Sequence, residues 1–155
     1  FANNSDYLVQ LMEVRRIIET EVVTRLSSEE LTITQEVEDS LAEMRAAAQA
    51  NDMSRFTDSD AAFHRGLAHS VGNEILHVVY DNLFSIIIDV IRVTSRVPDK
   101  SLQDGLAEHE EIYNLIKAKQ PDEARNSIRR QIEESSRYLK VAMDKAAMNS
   151  KAKSK

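Results

Sequence analysis

Apolar residues in this chain recur three and four positions apart almost from end to end, and that regularity limits what it can fold into. Leu8, Leu11, Ile18 and Val22 form one stripe, and Leu31, Val37, Leu41 and Met44 a second. Phe56, Phe63, Leu67 and Val71 form a third. Leu102, Leu106, Tyr113 and Ile116, then Ala124, Ile128 and Ala142, continue the pattern. Residues at this spacing share one face of an α-helix. Only three Gly and two Pro occur in 155 residues, which leaves little material for hairpins. With 42% apolar residues the chain is globular. Its length suits one domain with a real core. The expected fold is all-α, an antiparallel bundle of six or seven helices with a central apolar helix and an internal cavity.

The helix ends are marked by capping chemistry. The first helix runs from about Ser5 to Leu26. Ser27-x-x-Glu30 reads as a capping box for a second helix that ends near Ala50. The third begins near Asp52 or Ser54 and stops at Gly72, and Asn73 caps the fourth, which ends before Pro98. Ser101 with Asp104 caps the fifth, and Pro121 followed by Asp122 and Glu123 opens the sixth. The fourth helix is apolar nearly all round, from Ile75 through Val93, so it is expected at the centre. Its one polar strip is Ser85, Asp89, Arg92 and Arg96, either a solvent edge or the wall of a polar cavity. The domain is expected to span 1–148, with a disordered basic tail over 149–155.

Composition removes several function classes. A net charge of −6 makes the chain a poor nucleic-acid binder on its own. The absence of Cys excludes disulfides and thiolate metal sites and fits a reducing compartment. No apolar run reaches the roughly 18 residues needed to span a bilayer, and no signal peptide is visible. The chain opens at Phe1, without Met, directly into a helical pattern, and so reads as a fragment of a longer protein.

Polar residues on the apolar stripes are the informative exceptions. Arg15 lies between Leu11 and Ile18, and a buried Arg requires an anionic partner. Asp60 and His64 sit one turn apart on the third stripe, His109 on the fifth and Gln131 on the sixth. One such residue would be a satisfied core group. Residues from four helices suggest a common cavity, because buried polar groups must find partners. Asp60, His64 and His109 are good ligands for a divalent first-row metal. Gln131 is a weak fourth ligand or a donor to a bound anion. His69 and His77 lie off the stripes and read as surface or packing residues.

Three motifs together resemble a known family. They are E-V-R-x-x-x-E from Glu13 to Glu19, D-x-x-F-H from Asp60 to His64 followed by Gly72 and Asn73, and E-H-x-x-I from Glu108 to Ile112. Their order and the chain length resemble the FCD domain, the effector-binding half of FadR-subfamily GntR transcription regulators. The resemblance implies a metal, zinc or nickel, on Asp60, His64 and His109, with Gln131 where a further His is usual. It implies that Arg15 holds a small carboxylate effector. Arg92, Gln131 and Asn73 are the other residues expected at the effector. It also implies a homodimer in the cytoplasm, acting on DNA only through an N-terminal winged helix-turn-helix that this chain does not contain. A sensory domain without enzymatic activity is therefore expected. The alternative is a metal-dependent hydrolase using Asp60, His64 and His109 with open positions for water.

Overall fold

The computed structural model describes residues 5–94 and 100–153. Six helices make up the fold, with no strand among the described residues. They are α1 (Ser5–Ser28), α2 (Gln35–Gln49), α3 (Met53–Ser70), α4 (Glu74–Thr94), α5 (Leu102–Lys117) and α6 (Pro121–Lys153). The longest packed seams run between α2 and α3 and between α1 and α6. α5 lies against α6 and α2, and α4 against α3 and α6. Val22, Val23, Leu26, Met44, Phe63, Leu67, Ile112, Ile116, Ile128 and Ile132 meet in one core. Among the described residues no helix is long and apolar enough to cross a membrane.

Most helix ends follow the capping residues. Asp52 accepts the Arg55 N–H at 3.1 Å to open α3. Gly72 adopts a φ of +71°, which stops that helix. The Asn73 side chain then accepts the Leu76 N–H at 3.0 Å and starts α4. Both arms of the Ser101–Asp104 capping box are present. The second helix differs from expectation. Ser27 is buried, and its hydroxyl bonds the Val23 carbonyl one turn back, so α1 continues through it. α2 begins instead after Thr34, whose N–H and hydroxyl bond Ser70 Oγ and the Gly66 carbonyl on α3. A tertiary anchor thus sets this end.

Two further expectations are corrected. The apolar fourth helix is not central. Tyr80 is its one fully buried side chain among those described, while Ile75 is 75% and Val78 59% exposed. An all-round apolar circumference shows that a helix tolerates cover on every side, and the other helices of the chain cover α4 on one side only. α1 takes the inner place, touching α3, α4, α5 and α6. Residues 149–153 of the expected disordered tail are helical, as α6 continues to Lys153, and 154–155 fall outside the described residues. Ala-, Lys- and Met-rich sequence has high helix propensity, and extending an existing helix avoids the cost of nucleation. The expected end of the fourth helix before Pro98, and Arg96 of its polar strip, lie in 95–99, outside the described residues.

The α2–α3 seam depends on Gly66. A Cβ there would lie 2.9 Å from Val37 Cγ2 and 3.1 Å from the Val37 backbone nitrogen. Gly66→Ala should therefore lower stability by on the order of 1–3 kcal/mol, read as a fall in the urea midpoint. A midpoint equal to wild type would mean that the two helices do not approach so closely.

Candidate metal and anion site

Four helices deliver polar side chains to one place. α3 presents Asp60 and His64 one turn apart, α5 presents His109, α6 presents Gln131 and α1 presents Arg15. His64, His109, Arg15 and Gln131 are buried, and Asp60 is 14% exposed at its side chain. The three ligating atoms of Asp60, His64 and His109 all lie within 4.8 Å of one another. Asp60 Oδ1 stands 2.9 Å from His109 Nε2 and 3.2 Å from His64 Nε2. Gln131 Nε2 lies 3.1 Å from His109 Nε2, and its carbonyl oxygen is buried without a partner.

The ring orientations follow from the neighbours. His109 Nδ1 is 2.6 Å from the Gly105 carbonyl, which can only accept, so Nδ1 carries the proton. Position 105 is Gly because Phe56 Cζ would lie 2.9 Å from a Cβ there. In the neutral ring the Nε2 lone pair then points at a carboxylate. His64 Nδ1 lies 2.8 Å from Glu19 Oε2, and its Nε2 also faces Asp60. Neither His64 contact is straight enough to be a hydrogen bond. Lone pairs converging in this way need a positive charge among them, either a second proton on an imidazole or a cation. Two imidazoles and a carboxylate suit a first-row divalent ion, and each Nδ1 already faces an acceptor, as metal-bound histidines do. The residues present therefore fit a metal.

The anionic partner that a buried Arg15 requires comes from its own helix. Its Nε donates to Glu19 Oε1 at 2.7 Å, one turn along α1, and Asp60 does not hold it. Tyr80 donates to the same oxygen at 2.8 Å. Burial would raise the Glu19 pKa, but the charges of Arg15 and His64 prevail and bring it down to about 2. Burial would likewise raise Asp60, yet His109 and His64 hold it far below the carboxylate range. Burial disfavours a charge on His64, but Glu19 and Asp60 outweigh this and raise its pKa.

These side chains line a cavity of about 60 Å³, room for on the order of four or five water-sized groups. Arg15, Phe56, His64, His109 and Gln131 form its buried floor. Lys100, Glu108, Glu134, Ser135 and Tyr138 are the half-buried rim. Lys100 is held there by Glu108 at 2.5 Å and Glu134 at 3.3 Å. Two expected effector residues lie elsewhere. Arg92 is 52% exposed at its side chain and pairs with Asp58 and Asp89, each at 3.4 Å. Asn73 caps α4 and does not line the cavity. His69 and His77 pack beside each other near the surface, with His69 on Asp81 and Glu36. Glu19 enters the sequence reading only as the end of a motif and not as a site residue, and Tyr80 does not enter it. The signal for Glu19 was present, since it stands four residues after a buried Arg on the same stripe.

The fold and the site together define a helical bundle with a polar cavity that has a buried floor and a half-buried rim. The model of the FCD domain matches residues 10–134, and the chain belongs to that family. It is 30% identical over 115 residues to the HTH-type transcriptional regulator LutR of Bacillus subtilis (strain 168). That match covers 70% of this chain and 51% of LutR, so the chain spans about half the length of this curated relative. The structure resembles the metal-free FCD domain of TM0439, with a TM-score of 0.74 at 16% identity, covering 92% of this chain and 97% of that one. It also resembles the Zn²⁺-bound FCD domain of TM0439, with a TM-score of 0.58 at 20% identity, covering 94% and 95%. The curated relative is named a transcriptional regulator, and the hydrolase reading is set aside.

The depressed Glu19 pKa has a defined sign for stability. Between about pH 4.5 and 2 the unfolded chain binds a proton at Glu19 that the folded chain does not. That stabilisation is fully present above about pH 4.5 and is lost as pH falls towards 2. Glu19→Gln should therefore flatten the acid limb of the stability curve. At neutral pH it should cost about 3–5 kcal/mol, because Arg15 is left buried and unpaired. Urea midpoints at pH 3 and pH 7 check this, and an unchanged difference between them would exclude Glu19 as the titrating group.

Proposed function

We propose that this domain senses a small carboxylate, bound beside a divalent metal ion, zinc or nickel, that Asp60, His64 and His109 hold. The observation that carries the reading is the convergence of those three side chains on a cavity that Arg15 also lines. With neutral imidazoles, Glu19 and Asp60 outweigh Arg15 by one negative charge. A divalent cation would reverse that balance and supply a Lewis-acidic point for an oxyanion. A monocarboxylate would then close it. Gln131, with its unpartnered carbonyl oxygen, stands ready as a further ligand or as a donor to the anion.

Arg15 is the residue for the effector's carboxylate. Glu19 takes its Nε–H, and its terminal amino groups bond no other side chain among the described residues. That planar fork matches a carboxylate in a way that Lys cannot. Occupancy of the cavity would control DNA binding by a winged-helix domain attached at the N-terminal side, in a cytoplasmic homodimer. The effector shifts that equilibrium only by its differential affinity for the two states. Membership of the FCD family and the likeness to LutR support this reading.

The test is a thermal-shift screen of small organic acids with and without Zn²⁺, with elemental analysis of protein purified free of chelators. The expected result is stoichiometric metal and a rise in melting temperature with acid that depends on the metal. Protein without metal that still responds to acids would sink the metal half and leave direct binding to Arg15, His64 and His109. Arg15→Lys should weaken binding of the best acid by on the order of 1.5–3 kcal/mol in calorimetric titration. Arg16→Lys is the control and should change little. Equal affinity in wild type and Arg15→Lys would remove Arg15 from the site.

A further inference from the structure

α4 turns most of its side chains outward, yet it sends one residue deep into the bundle. Tyr80 is fully buried, and its hydroxyl donates to Glu19 Oε1 at 2.8 Å. The same oxygen receives Arg15 Nε at 2.7 Å, and the other oxygen of Glu19 faces His64 Nδ1 at 2.8 Å. One carboxylate therefore joins three helices. Arg15 and His64 line the cavity, whereas Tyr80 and Glu19 do not. The one hydrogen bond by which Tyr80 reaches the side chains of the cavity is thus the one to Glu19.

We propose that Tyr80 is a positioning residue that couples α4 to the contents of the cavity, through the single carboxylate of Glu19. The inference rests on the reading of that cavity as a ligand site. A buried phenol hydroxyl cannot abandon its acceptor without loss, so it follows Glu19 when Glu19 moves. Glu19 in turn follows Arg15 and His64. A ligand that draws either side chain towards the cavity changes the bond that anchors α4. Other polar ties of α4 lie at the surface, such as Asp81 to Arg65 and His69, both at 2.9 Å. Its outward residues Ile75, Val78 and Val79 would carry any displacement to the exterior.

Tyr80→Phe removes the hydroxyl and keeps the ring, so the core stays filled. Amide hydrogen exchange along residues 76–86 of the 155-residue chain reads the coupling. Two cavity changes are compared in wild type and in Tyr80→Phe. One is saturation with Zn²⁺, with uptake verified by elemental analysis. The other is His64→Gln without metal, with Arg15→Lys in its place should that variant not fold. With Tyr80 present, each change should alter α4 exchange by at least about five-fold. In Tyr80→Phe the same changes should leave it nearly constant. A purely structural Tyr80 would shift the baseline and not the response. Equal responses in both backgrounds, or none in either, overturn the coupling. A wild-type chain that takes up no Zn²⁺ overturns the metal reading alone, and the metal-free comparison then decides.

Discussion

Glu19 is the group on which the interior depends. A carboxylate with almost no exposure is costly unless several donors surround it. Here Arg15 and Tyr80 donate to it and the His64 ring faces its other oxygen, so that three helices meet at it. Each of them would itself be expensive to bury without Glu19. The cluster is consequently all or none, and it holds α1, α3 and α4 in one relative placement. The cavity lies on its far side, bounded by α5 and α6 through His109 and Gln131. What the core contributes in energy through Phe63, Ile112 and their neighbours, this cluster adds in directional constraint.

Much of this was legible in the sequence, for one reason. Helical periodicity assigns each residue a direction, so Arg15, Asp60, His64, His109 and Gln131 stood out as polar groups pointing inward. Gly72, Asn73, Ser101 and Pro121 marked their helix ends because capping is local chemistry. Failures came where direction depends on something beyond the helix. Tyr80 is one turn of the wheel among many apolar residues in α4, and its inward aim is visible only once α4 is known to lie outside. Arg92 shared that ambiguity, and it turned out to face solvent with Asp58 and Asp89. Asn73 has a local task that explains it fully. Thr34 displaced the Ser27 capping box because its partners are on α3, distant in sequence.

The position of α4 also bears on how a domain of this kind can be read. Its apolar circumference led to the expectation of a central helix, yet Ile75, Val78 and Val79 are open to solvent in the single chain. Hydrophobicity reports only that cover is favourable, whereas Tyr80 reports which side faces the core. A single buried hydroxyl thus fixes the rotation of this helix better than its many methyl groups.

The floor and the rim of the cavity differ in how freely they could change over evolution. On the floor several positions are interlocked. Gly105 admits no side chain beside Phe56, His109 is tied to the Gly105 carbonyl, and Arg15 and His64 share Glu19. Losing Arg15 would leave Glu19 without its charged donor, and a side chain at 105 would meet Phe56. Ser135 and Tyr138 on the rim carry no such obligations to the cluster, and Lys100 pairs with the neighbouring Glu108 and Glu134. A lineage carrying this domain could therefore be retuned to new ligands by drift around the mouth while the interior chemistry stays frozen.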